Sequence, residues 1–196
     1  MCNKVGGEPG ECFDVNGDSN SEETRRWHAM SAPYRRELQA RDLFEAAGLE
    51  YFLPMRYILV TLPGGKKKRE LRPAVPSLIF VKGTRKELQT LKDQKGIVQY
   101  LCRPEGERNV PIIVPDVQMN AFRKAIENSL NNFIYFRPGE LNLSLGKRVR
   151  IIGGALNGCE GTFMKVKGAR SRRLVIMLEG LGAVAAEVSP DFIELI

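Results

Sequence analysis

The sequence predicts an α+β protein of two folded domains, in which an antiparallel sheet flanked by helices precedes a small closed β-barrel. Between Trp27 and Leu130, runs of β-branched and aromatic residues alternate with helical patterns, as is typical of helices packed on an antiparallel sheet. Between Gly146 and Ile196, five short strand patterns follow one another with turns that contain Gly or Pro, which favours a barrel. The length of 196 residues is adequate for two small domains.

The first 24 residues differ from the rest of the chain in charge. They contain one Lys and six Asp or Glu residues, and almost no apolar residue that folding could bury. This composition predicts a disordered acidic tail over residues 1–24. The tail carries a net charge of −5. Since the net charge of the whole chain is +7, the remaining residues carry +12. Such a basic surface attracts phosphate-bearing polymers in a salt-dependent way, and a merely solvated surface is the alternative.

The first predicted domain, residues 25–130, begins with the strand pattern WHAMSA and a helix pattern that ends at Gly48. Strand patterns follow in LEYFLPM, RYILVTL and SLIFVKG, and the turn-like PGGKKKRELRP before the last of them predicts a basic hairpin tip. Thr84 and Glu87 form a capping box for a second helix. The strand pattern GIVQYL and a third helix, which starts at Pro115, complete the order β, α, β, β, β, α, β, α.

Residues 131–145 show neither the helical nor the strand period, and we predict that they form a linker. The second predicted domain, residues 146–196, has strand patterns in KRVRII, TFMKV, RLVIML, AVAAEV and FIELI. Closure of these strands into a barrel would leave no exposed sheet edge.

Several functional classes are not expected. No stretch approaches the roughly 18 apolar residues of a membrane span, and the first residues lack the apolar core of a secretory signal, so we expect a cytoplasmic protein with no membrane partner. The four Cys residues form no CxxC pair and His28 is the only histidine, so we expect no metal site and no cofactor. No nucleophile elbow, P-loop or paired acidic motif is present, which predicts a binding protein and not an enzyme.

The second domain starts with the glycine-rich segment GKRVRIIGGALNGCEGTFMKVKG. Gly146 precedes the alternating apolar residues Val149 and Ile151, and Gly158 and Gly161 follow where the chain reverses direction. This pattern resembles the KOW motif of NusG-type transcription elongation factors and of several ribosomal proteins. An ordinary glycine-rich hairpin of any small barrel is the alternative.

The first domain extends this resemblance. The strand at Trp27 with the basic helix after it, FLPM at 52–55 and RPAVPSLIFVKG at 72–83 resemble the NusG amino-terminal domain, so the resemblance covers residues 27–196. It implies a ferredoxin-like amino-terminal domain followed by an SH3-like KOW barrel. The chain looks most similar to the specialised RfaH and UpxY-like antiterminators.

The resemblance to NusG implies a polymerase-binding surface. In this family, the amino-terminal domain binds the clamp helices of the largest RNA polymerase subunit through an apolar depression and suppresses pausing. The corresponding residues here are Val75, Pro76, Leu78 and Phe80, although Val75, Ser77 and Leu78 replace the usual Phe, Gly or Asn, and Tyr. Leu78 and Phe80 share one face of a predicted strand, and ordinary core on both faces is the alternative.

The resemblance also suggests contact with DNA. Arg35, Arg36, Arg41 and Lys95 correspond roughly to positions at which the specialised paralogues approach the non-template DNA strand. The basic hairpin tip adds further positive charge, which a solvated surface would explain equally well. Phosphate contacts of this kind position a protein on nucleic acid without reading its sequence.

The second domain has two implied partners, because the KOW domain of NusG binds either the termination factor Rho or a small-subunit ribosomal protein. Leu181, in the turn EGLGA, is either an exposed contact for such a partner or an ordinary turn residue.

Two functions therefore stay open. The first is a transcription elongation or antitermination factor, which the likeness to specialised paralogues links to long operons such as those for surface polysaccharides. The second is a ribosome- or RNA-binding KOW protein whose working surface would be Arg148, Arg150, Arg170, Arg172 and Arg173.

Overall fold

The computed structural model of the chain describes residues 24–129 and 132–196. We call these ranges the amino-terminal domain and the carboxy-terminal domain. The predicted acidic tail, residues 1–24, lies outside the described residues apart from Thr24. Antiparallel sheets occur in both domains and the α-helices lie in the first, which confirms the mixed helix-and-sheet class.

The amino-terminal domain contains, in chain order, β1 (Arg26–Ser31), α1 (Glu37–Ala46), β2 (Glu50–Phe52), β3 (Met55–Thr61), β4 (Lys67–Pro73), β5 (Leu78–Gly83), α2 (Arg85–Lys95), β6 (Gln99–Tyr100), β7 (Cys102–Glu105), β8 (Arg108–Pro111), β9 (Ile113–Val114) and α3 (Asp116–Glu127). Its main sheet has five strands in the order β2-β5-β1-β6, and β9 also pairs with β1. All these pairs are antiparallel, as the sequence predicts.

Helices cover both faces of this sheet. Ile79 and Val81 of β5 lie in a buried cluster with residues of α1 and α2. Phe80 points to the opposite face, where its ring lies 5.6 Å from the ring of Phe122 in α3. The predicted capping box of α2 is confirmed, because the Glu87 N–H donates to Thr84 Oγ1 at 3.2 Å and the Thr84 N–H donates to Glu87 Oε2 at 2.8 Å.

Two hairpins stand apart from the main sheet, because β3 pairs only with β4 and β7 only with β8. The segment predicted as a hairpin tip continues into β4, so the turn is confined to residues 62–66. The β7–β8 hairpin was not predicted, since its sequence CRPEGERNVP contains two prolines and mostly polar residues, which strand propensity disfavours.

The carboxy-terminal domain contains β10 (Ile134–Phe136), β11 (Lys147–Ile151), β12 (Glu160–Lys165), β13 (Arg172–Leu178), β14 (Gly182–Ala186) and β15 (Ile193–Leu195). They form one antiparallel sheet in the order β10-β14-β13-β12-β11-β15. All five predicted strands are present. Within the described residues the first and last strands of the sheet, β10 and β15, do not pair with each other, so the strand pairing does not close the sheet into the predicted barrel. The segment predicted as a linker, 131–145, contains the strand β10. The sequence analysis did not predict this strand, because three residues are too few to show a strand period.

Close packing explains the glycines of the motif. A Cβ atom on Gly161 would lie 2.5 Å from the carbonyl oxygen of Val175 in β13, and one on Gly146 would overlap the side chain of Thr162. Gly158 has a φ of +80° and open space around it, so there the backbone conformation is what favours glycine. The apolar motif residues are buried on β11: Val149 and Ile151.

The two domains share one hydrophobic cluster. Helix α3 packs on β13 and β14, and Met119 of α3 belongs to the same buried cluster as Leu174 of β13. The turn between β13 and β14 lies against the amino-terminal domain, where a Cβ atom on Gly180 would be 3.3 Å from Cδ1 of Ile112. We call these contacts of α3 and of the 179–181 turn the interdomain contact.

Polar groups border the interdomain contact. Arg103 and Glu179 form an ion pair of 3.4 Å, in which the Arg103 side chain is partly exposed and the Glu179 side chain is largely exposed. Lys124 Nζ donates to the carbonyl oxygen of Asn157 at 3.3 Å. Exposed pairs of this kind add little stability, so apolar burial supplies most of the attraction between the domains.

The motif glycines make a prediction about stability. Gly161→Ala should lower the free energy of unfolding of the carboxy-terminal domain by about 2–3 kcal/mol, because the methyl group meets the backbone of β13, which cannot move aside. Gly158→Ala is the control and should lower it by about 1 kcal/mol, the effect of φ alone. Urea unfolding measures both, and equal losses would mean that β12 and β13 do not approach closely.

The single histidine predicts a pH dependence. His28 is buried on β1, as expected for a strand residue, and its Nδ1–H donates to the carbonyl oxygen of Arg26 at 2.9 Å. Burial lowers the pKa of His28 below its ordinary value of 6.5. The unfolded chain therefore binds a proton more readily, and stability should fall as the pH drops below 6.5 toward the folded-state pKa. Urea unfolding at pH 7.5 and pH 5.5 should show this loss, and His28→Gln should reduce it.

We expect a charged residue at the interdomain contact to separate the domains. The neighbouring residues Ile112 and Ile113 provide the test variant and its control. Ile112 is buried at the contact, whereas Ile113 is 43% exposed. Ile112→Asp should separate the domains, because a carboxylate at an apolar contact is costly to bury, while Ile113→Asp should not. Small-angle X-ray scattering should give a larger radius of gyration for Ile112→Asp alone. An unchanged radius in both variants would contradict the described packing.

Candidate functional site

The loop before β5 is held in place by buried hydrogen bonds. The Ser77 N–H donates to Oε1 of Glu37 at 2.6 Å, and the Ala32 N–H donates to the carbonyl oxygen of Ser77 at 3.0 Å. Glu37 is itself buried, at 4% exposure, so its carboxylate accepts this bond away from bulk water. Ser77 has a φ of +59°, an uncommon value for a residue other than glycine. The anchors therefore fix Val75, Pro76 and Leu78 in one arrangement.

Val75 and Leu78 face a cleft between the domains. The cleft has a volume of about 710 Å³, and its walls include Val75, Pro76, Leu78 and Leu101 on one side and Tyr135 and Leu181 on the other. Val75 and Leu78 are 6% and 4% exposed, and both belong to the hydrophobic cluster that spans the two domains. The carboxy-terminal domain therefore forms the wall of the cleft opposite this apolar loop, which we call the Val75 loop (residues 74–78).

One of the four predicted surface residues, Phe80, differs in its accessibility from the expectation. Phe80 is 0% exposed and packs against Phe122 of α3, so it is a core residue and does not line an accessible depression. The strand period could not reveal this, because it assigns a face to Phe80 but does not say what covers that face. Pro76 is exposed, at the edge of the cleft.

Leu181 is also buried rather than exposed. It is 6% exposed, it lies in the cluster that spans the domains, and the Tyr135 hydroxyl donates to its carbonyl oxygen. The sequence could not show this burial, because Leu181 meets residues that lie far away along the chain. The candidate contacts of both domains thus face each other across one cleft.

The residues predicted to bind DNA lie on separate elements. Arg35 and Arg36 are exposed in the turn before α1, and Lys95 is exposed at the last residue of α2. Arg41 lies within α1 and forms an ion pair of 2.7 Å with Asp42, so part of its charge is neutralised.

An exposed aromatic residue that the sequence analysis did not select accompanies these arginines. Tyr34 is 86% exposed, and the guanidinium carbon of Arg36 lies 5.6 Å from its ring centroid. An aromatic residue followed by two arginines was the signal that could have identified it. The turn thus presents one aromatic ring and two cations to solvent.

The β3–β4 hairpin is basic and partly apolar at its surface. Leu59 is 61% exposed, and the guanidinium carbon of Arg69 lies 5.1 Å from the ring centroid of Tyr57. Glu70 is the only acidic residue in the hairpin and pairs with Arg72 at 3.1 Å. The predicted positive charge of this hairpin is therefore present at the surface.

Several arginines of the alternative RNA-binding set have partners within the chain. Arg150 pairs with Glu160 at 2.7 Å, and Arg148 lies 3.9 Å from the same residue. Arg173 is buried and donates to the carbonyl oxygen of Asn132. Arg170 and Arg172 are exposed. The structure thus gives three of the five arginines an internal role.

Within residues 24–129 and 132–196, no group of three or more His, Cys, Asp or Glu side chains is placed to hold a metal ion. No helix in this described part of the chain is long and apolar enough to span a membrane.

Comparison with known proteins identifies the family. A solved structure described as "Domain interaction in Thermotoga maritima NusG" is similar to this chain with 16% identity and a TM-score of 0.43, over 88% of this chain and 97% of that one. No curated protein matches. The family described as "Transcription termination factor nusG" matches residues 25–123, which is half of the chain. The chain therefore belongs to the NusG family.

Proposed function

We propose that this chain is a transcription elongation or antitermination factor whose amino-terminal domain binds the clamp helices of RNA polymerase through the Val75 loop. Membership of the NusG family supports a role in transcription. The observation that supports the binding surface most strongly is the position of Val75 and Leu78, which line the cleft opposite Tyr135 and Leu181 and belong to the cluster that spans both domains. In the proposal, this wall of the cleft becomes accessible when the carboxy-terminal domain leaves, whereas Phe80 stays in the core.

Binding at the Val75 loop requires the interdomain contact to open. The affinity of a protein whose binding-competent form is rare is reduced by the fraction in that form. An interdomain contact of about 1.4 kcal/mol therefore weakens binding about tenfold. Once bound, the factor acts by favouring one conformation of the polymerase clamp, because a ligand shifts an equilibrium by its differential affinity for the two states.

The proposal extends to partners and setting. In it, the chain acts in the cytoplasm by binding alone, with no reaction and no cofactor. The amino-terminal domain corresponds to the ferredoxin-like domain of the family and the six-stranded sheet to its SH3-like KOW barrel. Arg35, Arg36 and Lys95, which are exposed, are the residues for non-template DNA. The released carboxy-terminal domain binds Rho or a ribosomal protein. The resemblance to the specialised RfaH and UpxY-like antiterminators links the factor to long operons.

A ribosome- or RNA-binding KOW protein is the second candidate. Arg170 and Arg172 favour it, because both are exposed on the carboxy-terminal domain. It has less support, since Arg150 and Arg148 share Glu160 as a partner and Arg173 is buried.

Polymerase binding tests the proposal with two variants and a control for each. Leu181→Asp should open the interdomain contact from the carboxy-terminal side and bind RNA polymerase core enzyme about tenfold more tightly. Met177→Asp, at a position 46% exposed on β13, should bind as the unchanged chain does. Val75→Asp added to Leu181→Asp should abolish the gain, whereas Val117→Asp, at a position 81% exposed on α3, should not. The variants that bind polymerase more tightly should also reduce pausing during elongation more strongly.

The outcome that contradicts the surface is equal polymerase affinity for Leu181→Asp with and without Val75→Asp, in variants whose thermal unfolding shows a folded amino-terminal domain. If no variant binds polymerase but the chain binds RNA in a salt-dependent way, the second candidate function replaces the first.

A further inference from the structure

The segment that joins the two domains is itself a strand of the carboxy-terminal sheet. β10 pairs with β14 in the register Ile134↔Ala185, Tyr135↔Val184 and Phe136↔Ala183. Phe136 is 9% exposed and packs in a buried cluster with Met164 and Val166. We call residues 132–136 the strap.

Polar contacts fix the strap at Asn132, before β10, and at Tyr135, within β10. The Tyr135 hydroxyl donates to the carbonyl oxygen of Leu181. Asn132 Nδ2 donates to Oε2 of Glu187 at 2.6 Å, and the buried guanidinium of Arg173 donates to the carbonyl oxygen of Asn132. Removal of the strap would therefore break backbone pairs, a charge-assisted hydrogen bond and the packing of Phe136 together.

The absence of a side chain at Gly182 leaves room for the strap to pack against the sheet. Its φ is +126°, and a Cβ atom there would overlap the carbonyl oxygen of Phe136 and lie 3.0 Å from the Tyr135 hydroxyl oxygen. Any larger residue would displace the strap, so a single substitution is expected to detach it.

The tether outside the strap is short. Helix α3 ends at Glu127, and the first strap residue is Asn132, whose N–H donates to the carbonyl oxygen of Ser129 at 2.7 Å. The four intervening residues span at most about 14 Å when extended. With the strap detached, the tether would run to the start of β11 at Lys147, and its nineteen residues would span at most about 65 Å.

We propose that the strap sets the reach of the carboxy-terminal domain: it stays on β14 when the interdomain contact opens, so the domain turns on a short hinge. The inference rests on the opening invoked in the proposed function. The strap is held within the carboxy-terminal sheet by three residue pairs with β14 and by the buried side chains of Phe136 and Arg173. The interdomain contact has no strand pairing of this kind among the described residues and is bordered by the Arg103–Glu179 ion pair, so we expect it to open first. The partner of the carboxy-terminal domain must then lie next to the surface that the amino-terminal domain binds.

Distances between the domains test this inference without polymerase. Bio-orthogonal spin labels in place of the exposed Lys95 and Lys167 report the separation by electron–electron double resonance on the full chain. Ile112→Asp should shift the distances while keeping them narrowly distributed. Addition of Gly182→Ala should give a broad distribution at longer distances. Gly158→Ala, also at a positive φ (+80°) but with open space around it, should leave the narrow distribution unchanged when added to Ile112→Asp.

Hydrogen exchange of the strap is the second readout. The amides of residues 134–136 should exchange as slowly in Ile112→Asp as in the unchanged chain, and faster once Gly182→Ala is added. If Gly182→Ala does not fold, Asn132→Ala with Tyr135→Phe removes two strap contacts without strain in the sheet and should broaden the distances of Ile112→Asp to a lesser degree. Rapid strap exchange in the unchanged chain, or a broad long-distance distribution in Ile112→Asp alone, would overturn the inference. Neither readout depends on whether the chain binds polymerase.

Discussion

The apolar contact between α3, the 179–181 turn and the Val75 loop is the interaction on which the arrangement of the molecule depends. Helix α3 is buried on two sides, because Phe122 packs on the main sheet while the helix also lies against β13 and β14. Buried side chains of both domains thereby belong to one hydrophobic cluster. Since burial of apolar surface is the main favourable term in such contacts, the closed arrangement is stable without any strong polar bond between the domains.

This contact links the two candidate binding surfaces. Val75 and Leu78 of one domain and Leu181 of the other line the same cleft, and all three side chains are buried while the domains are closed. A partner that binds one of them competes with the other domain, and its binding releases the second surface at the same time. Under the proposed function, the closed form withholds the candidate contacts of both domains together.

Much of the fold was predictable, because the strand and helix periods in the sequence are local signals. The five strands of the carboxy-terminal domain and the capping box at Thr84 and Glu87 are examples. Elements without a local signal were missed: β7–β8 is rich in Pro and polar residues, and β10 is three residues long. The site was predicted less well. The period of two places Leu78 and Phe80 on one face of the strand, but only tertiary packing decides that Phe80 packs against α3 and that Leu78 lines the cleft between the domains.

The most direct test of the account is to ask what touches the Val75 loop before and after polymerase binds. A photoreactive side chain at the exposed position of Pro76 reports its neighbours by cross-linking and mass spectrometry. The account predicts cross-links to the carboxy-terminal domain around Leu181 in the free chain, replaced by cross-links to the largest polymerase subunit in the complex. Cross-links to the carboxy-terminal domain that persist unchanged in polymerase-bound chains would contradict it.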